Sequence, residues 1–404
     1  MQNLRPHLIF YSIIAMMGSL FISRGALSAS IIVFVSVCFF HTAIKEQLRN
    51  FFSTPLLWAM SLLFLLPLLS GLWSDDRQEW LNSLRVKLPL LVLPLAFASP
   101  FTFSRDQWRW LASIFLAGVM AGTIWSMFHY VPDMQAVNEG YLQAKTILTP
   151  LENDHVRFSW LLAVAILVAG WVWLGSREQR NISWLLLVVM AWLIIFLHIL
   201  AARTGLLCFY MIVIAAMLWM IVKKTRPLVG AGFLVLVIAL PLIAYIILPT
   251  FRNKVKYFRY DFEYFKDAHY LPGGNDAIRV ISLKAGWHIM NDNAVKGVGF
   301  GDIFHETGKW YEANYPQMRQ QDKIFPSNEW LIYGTGCGIP GFLIFTFVLL
   351  VPFFTRVKSK GRWWLLNGLV ATSFLFDIGL EVQFGVFIYS FIVLLSWKWF
   401  RFEA

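Results

Sequence analysis

The chain has 404 residues, 58% hydrophobic and 14% charged, with a formal net charge of +11. A soluble globular domain runs at about 45–50% apolar and about 25% charged residues, so this composition excludes one and requires lipid as solvent. Cys38, Cys208 and Cys337 all lie in apolar runs, which excludes a disulfide framework and a Cys-x-x-Cys metal site.

A helix needs about 20 mostly apolar residues to cross the hydrocarbon core. Such stretches lie near 7–23, 26–41, 55–73, 81–99, 107–131, 157–175, 183–201, 204–222, 228–248, 330–353, 363–379 and 383–399. They predict an all-α, polytopic membrane protein with about twelve transmembrane helices. The 19 Trp, 36 Phe and 13 Tyr suit two membrane interfaces, where amphipathic rings settle. The first apolar stretch lacks an A-x-A-like cleavage site and leads into the second, so it reads as a span.

Placing the connections alternately on two sides tests the topology through the positive-inside rule. One side collects sixteen basic residues, among them Arg49, Arg109, Arg177, Lys223, Lys224, Arg226, Arg362 and Lys398, against only the acids Glu46, Asp106, Glu178 and Glu403. That side is expected to be the cytoplasm, with both termini on it. The basic balance is then a topology signal, and no nucleic-acid partner is expected; the partners in view are membrane lipids and an outer-face ligand.

Residues 249–327 form a 79-residue polar connection on the outer side. Long connections are usually functional or disordered. This one holds eight Tyr or Trp residues and a helix-like stretch, Asn275 to Met290, so it is expected to fold as a partly helical cap. The predicted organisation is spans one to nine over 1–248, the outer loop over 249–327, and spans ten to twelve over 328–404. A smaller outer loop, about 132–156, is placed to pack against the cap. No internal repeat is visible, which weighs against a transporter built from repeated halves.

Several residues stand out in chain order. Ser74-Asp75-Asp76 reads as a helix N-cap with acids in the first turn, or less commonly as a metal-binding pair. Arg85 and Lys87 open the fourth span and need an anion, either a nearby acid such as Asp75 or Asp76 or a ligand phosphate. His155 sits at the mouth of span six. Arg203, in Ala201-Ala202-Arg203-Thr204-Gly205, is fixed by a tight outer turn where its rigid fork suits a phosphate; a snorkelling arginine beside a Thr cap is the alternative.

Arg279 shares a helix face with Gly286 and Trp287 and either serves the same anion or faces solvent. Gly297-Val298-Gly299-Phe300-Gly301 matches no nucleotide-binding pattern, so its glycines serve close approach to a ligand or to other helices. Ser327-Asn328-Glu329 lies at the mouth of span ten, above the glycines 334, 336, 338 and 341. No spacing suggests a metal cluster or a Ser/His/Asp arrangement, and no cofactor is expected.

Taken together, the Arg203-Thr204-Gly205 turn, the Arg279–Trp287 helix running into Gly297–Gly301, and the Pro326-Ser327-Asn328-Glu329 tract before a glycine-containing span resemble the O-antigen ligase and polymerase superfamily. The resemblance covers most of the chain. It implies a GT-C-like membrane glycosyltransferase that takes a glycan from undecaprenyl pyrophosphate and passes it to a sugar hydroxyl, of the lipid A core in a ligase or of another lipid-linked repeat in a polymerase. It implies further a bacterial inner membrane with the long loop in the periplasm, and a metal-free, inverting displacement in which Arg203 and Arg279 hold the pyrophosphate; Arg85 and Lys87, cations that the topology leaves unexplained, are expected to join them.

The family's usual His-Asn pair reads Ser327-Asn328 here. A serine is no neutral-pH base by itself. Another residue, such as His305, Glu306 or Glu329, is expected to take that role; a dissociative transition state needing no strong base, or an impaired member, are the alternatives. Two further classes stay open: a metal-dependent polyprenyl-phosphate-sugar transferase using Asp75 and Asp76, and a polysaccharide or lipid transporter.

Overall fold

The computed structural model describes residues 4–176, 178–222, 227–266, 270 and 272–402. Arg177, Lys223, Lys224, Arg226 and Glu403, which entered the topology argument, lie outside the described residues. Among those described, the chain is helical and has no strand. The helices are Arg5–Ser19 (α1), Arg24–Phe39 (α2), Ile44–Ser53 (α3), Pro55–Ser70 (α4), Arg77–Lys87 (α5), Pro89–Phe97 (α6), Arg105–Tyr130 (α7), Met134–Gly140 (α8), Pro150–Asn153 (α9) and His155–Gly175 (α10). They continue with Arg180–Leu200 (α11), Arg203–Val222 (α12), Pro227–Ile247 (α13), Pro249–Lys266 (α14), Asp276–Asp292 (α15), Ile303–Asn314 (α16), Glu329–Phe354 (α17), Lys360–Phe376 (α18) and Gln383–Phe402 (α19).

A helix lies at each of the twelve apolar stretches, but not all are long enough to cross a bilayer alone. Seven pass on length and apolarity, α5 and α6 together counting as the one span Arg77–Phe97. Two bent pairs raise the number to nine: α2 with α3, at 109°, and the second half of α13 with α14, at 98°. The other three, α1, α4 and α18, have 15, 16 and 17 residues. At 1.5 Å rise per residue these fall short of a core about 30 Å thick. Among the described residues the chain is thus helical without strands and has seven to nine apolar spans, as in a polytopic membrane protein.

The chain divides into two compact units. One combines Met1–Met16, Arg24–Thr102 and Asp261–Ala404; the other combines Met17–Ser23 and Phe103–Tyr260. In the first, α17 packs against α4, α15 and α18, while α6 packs against α2, α4 and α19. In the second, α10 is the hub, packed against α7, α11 and α12. Its apolar face suits that place, because twelve of its residues, from Phe158 to Trp171, are buried.

The polar segment after α13 is folded. Tyr270, Ile278, Ile281, Ala285, Tyr311 and Met318 form a small buried core, with Trp310, Tyr315 and Ile324 packed on it. The expected helix over 275–290 is α15. Buried Asp261, in the last turns of α14, accepts the backbone N–H groups of Asn275 (3.0 Å) and Asp276 (2.5 Å) and so satisfies orphan donors at the start of α15. In the other unit, Asn253 donates to the Asn138 carbonyl (2.8 Å), which ties the start of α14 to the smaller 132–156 loop.

The glycine-rich run serves packing between chain segments. Val298 and Gly299 donate their N–H groups to the carbonyls of Thr335 (2.9 Å) and Gly336 (3.0 Å) in α17. Phe300 and Gly301 donate to the hydroxyls of Ser70 (3.1 Å) and Ser74 (3.2 Å). Gly297 and Gly299 have φ of +67° and +94°, and a Cβ on either would collide, with the backbone of Gly336–Cys337 in one case and with Ser74 in the other. Only glycine meets both demands. Asp302 completes the junction by accepting the N–H groups of Asp75 (2.8 Å) and Asp76 (3.0 Å).

Candidate functional site

The Ser327-Asn328-Glu329 tract, Arg279 and the end of α18 converge in the first unit. Asn328 is the N-cap of α17, its Oδ1 accepting the Leu331 N–H (3.2 Å), which is how a helix start satisfies an orphan donor. Its Nδ2 donates to the Leu375 carbonyl (3.0 Å). One residue further on, the Phe376 carbonyl accepts from Arg279 Nη1 (3.2 Å). Both site side chains therefore hold the last carbonyls of α18, where unsatisfied C=O groups and the helix dipole favour donors and cations.

Ser327 is brought to the same helix as Arg279. Its N–H donates to the hydroxyl of Ser282 (3.1 Å), the two hydroxyl oxygens are hydrogen-bonded at 3.0 Å, and Ser282 also donates to the Arg279 carbonyl (2.7 Å). Ser282 stands three residues after Arg279, one helical turn along the same face, so the 3.6-residue period was a signal for it. Beside this junction is a cleft of about 510 Å³, lined among others by Leu283, Trp287, Asn328, Trp330, Leu331 and Leu375. Its walls are mostly apolar, and Lys284 adds a cation.

Glu329 and Lys87 take buried positions. Lys87 is 0% exposed and its Nζ lies 2.5 Å from Glu381, in the short turn between α18 and α19. Its nearer sequence neighbours Asp75 and Asp76 are not its partners. Asp76 instead caps α5, accepting the N–H groups of Gln78 (3.0 Å) and Glu79 (2.9 Å), the commoner of the two uses expected for that pair. Glu329 is fully buried; one carboxylate oxygen accepts the Leu380 N–H (3.2 Å) and the other has no hydrogen-bond partner.

Two site candidates lie apart from this convergence. Arg85 is exposed on α5 and has no hydrogen-bond or ion-pair partner among the described residues. His305 is exposed on α16, and no hydrogen bond or ion pair joins it to the Ser327 tract among the described residues. On the same helix Glu306 pairs with Lys309 (2.7 Å).

Arg203 belongs to the second unit. It opens α12 after a left-handed Ala201 (φ +50°), which turns the chain sharply between α11 and α12. The turn is fixed from both sides: Tyr141 Oη donates to the Leu200 carbonyl (3.0 Å), and Gly205 donates its N–H to Ser159 Oγ (3.2 Å). A Cβ on Gly205 would stand 2.5 Å from the Ser159 carbonyl oxygen, so the glycine of Arg-Thr-Gly lets α12 approach α10. The Arg203 guanidinium is exposed, with its carbon 5.2 Å from the centre of the Phe258 ring. His155 begins α10, behind the capping Asp154.

Residues 188–346 match the family model described as O-antigen ligase. Over this stretch the chain is similar to the O-antigen ligase family. It runs from within α11 into α17 and contains Arg203, Arg279, His305 and Ser327–Glu329. Lys87 and Glu381 lie outside the O-antigen ligase stretch, as does the end of α18 on which Arg279 and Asn328 converge. No curated protein matches the chain. The sequence offered one sign of Glu381, an acid in the short turn between the last two apolar stretches, but nothing that tied it to Lys87.

Proposed function

We propose that the protein is an O-antigen ligase-type glycosyltransferase of the bacterial inner membrane. It moves a glycan from undecaprenyl pyrophosphate to a sugar hydroxyl of the lipid A core at the periplasmic face. The observation that carries this reading is the placement of Arg279 and Asn328 together beside an open, largely apolar cleft, inside the stretch that matches the ligase family. An apolar cleft beside a guanidinium suits a lipid whose headgroup is an anion.

In this reaction the acceptor hydroxyl oxygen attacks the anomeric carbon of the donor sugar, on the face opposite the pyrophosphate. The bond from that carbon to the pyrophosphate oxygen breaks, the electron pair leaves with the lipid pyrophosphate, and the hydroxyl proton passes to a base. Charge grows on the leaving group, so cations aimed at it stabilise the transition state more than the ground state. Arg279 supplies such a cation as a rigid bidentate donor, and exposed Arg85 adds a second; Arg203, in the other unit, is proposed as a phosphate-binding cation in its own right. This proposal involves no metal.

The base is a residue other than Ser327. Of His305, Glu306 and Glu329, we assign the role to His305, because Glu329 is buried and Glu306 is paired with Lys309. Transfer assays on Ser327→Ala and His305→Ala separate the possibilities. The His305 variant is expected to lose about 10²-fold or more in kcat, the usual worth of a general base. Loss confined to the Ser327 variant would overturn the assignment. Activity that disappears in EDTA would instead favour the metal-dependent transferase with Asp75 and Asp76.

A further inference from the structure

We propose that the Lys87–Glu381 ion pair and the buried Glu329 form a clamp that positions Arg279 and Asn328, so that Lys87 acts on transfer without touching the pyrophosphate. The inference rests on the proposed function for its kinetic consequence and on the fold for the clamp itself.

Lys87 is enclosed on every side. Its Nζ faces Glu381 at 2.5 Å, Ser83 Oγ at 3.4 Å and the Phe300 ring at 5.1 Å from its centre. Of the three N–H donors of the ammonium, Glu381 and Ser83 accept two, and the Phe300 ring faces the charge beside them. With 0% exposure, the group cannot meet a ligand phosphate unless the packing opens.

The partner charges hold a short stretch of backbone. After α18 the chain turns through Gly379–Glu381 before α19 starts at Gln383. Glu381 ties this turn to α5 through Lys87, and Glu329 ties it to α17 through the Leu380 N–H. Only three to five residues upstream are the Leu375 and Phe376 carbonyls that receive Asn328 and Arg279. Residues 375–381 are thus gripped at four points at least, two by Lys87 and Glu329 and two by site side chains. Glu329 also follows Asn328 directly, so displacing one carboxylate moves the cap of α17 and the receiving end of α18 together.

The cluster is costly for a purely structural joint. Buried ion pairs are often no more stabilising than apolar residues of the same volume, and one Glu329 oxygen is left without a hydrogen bond. Such expense is common where geometry must be set closely for a reaction, since a misplacement of about 1 Å can cost about 100-fold in rate.

The test uses the full-length protein in lipid nanodiscs, as Lys87→Met, Glu381→Gln, the double variant and Arg279→Ala. Hydrogen exchange over 375–382 reads the clamp, and kcat and donor KM with undecaprenyl-pyrophosphate glycan read its consequence. Lys87→Met alone leaves a carboxylate buried without its cation; it is expected to raise exchange in 375–382 and to lower kcat about 100-fold with little change in donor KM. The double variant removes both charges and is expected to regain protection and to return to within roughly tenfold of wild-type kcat. Arg279→Ala should lose transfer with the clamp still protected.

A double variant as impaired as Lys87→Met, with a raised donor KM, would make Lys87 a pyrophosphate ligand and overturn the proposal. Unchanged exchange in Lys87→Met would overturn it as well. Should Lys87→Met fail to fold, Lys87→Arg and Glu381→Asp, which keep both charges, carry the same comparison with smaller shifts. If the wild-type protein transfers nothing, the functional reading fails while the exchange measurements still decide the clamp.

Discussion

The surroundings of Lys87 and those of Arg203 treat a cation in opposite ways. Lys87 is fully enclosed and spends its charge on Glu381, a residue 294 positions away in the chain. Arg203 is exposed at a turn that is itself rigidly built, with Ala201 in a left-handed conformation and Gly205 pressed against Ser159. A charge buried with its partner organises protein, because breaking the pair strands the other charge. A charge held at the surface by a stiff backbone is placed to meet something outside the protein, which is the role proposed for Arg203. From the sequence both were basic residues beside apolar stretches, and only packing separates their roles.

The sharpest way to break this comparison is to remove the surface cations. Arg203→Ala and Arg279→Ala are each expected to lower kcat/KM for the lipid-linked donor by about 10²–10³-fold, the scale of losing a transition-state donor. Lysine at either position should recover little, since a point charge does not replace a planar fork. Melting temperatures of both variants should stay close to wild type. A large drop in stability with Arg203→Ala would place that residue in the same class as Lys87.

A smaller effect is expected from Asn328→Ala. It removes the cap of α17 and the tether to Leu375, at a cost of about 1 kcal/mol for the cap. Thermal unfolding should shift down modestly. Asn328→Asp should keep the cap and lose the tether, so a variant with near-normal melting and reduced transfer would locate the tether's value in geometry.

The smallest expected effect concerns acid. Asp322 is buried in the folded segment after α14, where desolvation alone would raise its carboxyl. Hydrogen bonds from Tyr270, from Arg319 Nε (3.0 Å) and from the Gly273 N–H (3.2 Å) outweigh that and hold it below the usual carboxylate range. A carboxyl lowered in the folded state stabilises fully above its ordinary pKa, near 4, and the contribution fades as pH falls through the lower folded value. Protease resistance of residues 270–322 should therefore hold to about pH 4 and decline below it. Asp322→Asn should show reduced resistance at neutral pH, with the further acid-induced decline weakened.

Much of the fold was legible because hydropathy is a local property. Each apolar stretch became a helix, the polar segment begins where Pro249 starts a new helix, and α15 appeared close to its expected ends. Helix length was less legible. The apolar run near 55–73 continues through Leu72 and Trp73, but the helix stops at Ser70 and Trp73 lies in the turn that follows, so apolar composition overstated the span. In the site, the structure brings Arg279 and the Ser327–Asn328 tract to the same end of α18, a meeting that their separate places in the sequence did not announce. The Lys87–Glu381 pair was hidden because a contact across most of the chain leaves no mark in the neighbourhood of either residue, and the near acids Asp75 and Asp76 offered a plausible partner that packing did not choose.

The most direct measurement mixes purified protein in nanodiscs with undecaprenyl-pyrophosphate glycan and lipid A core, in EDTA, beside an Arg279→Ala control. The account predicts glycan joined to the core by wild type with inverted anomeric configuration, and about 10²-fold less product from the control. No transfer to the core, or equal transfer by both proteins, would contradict it.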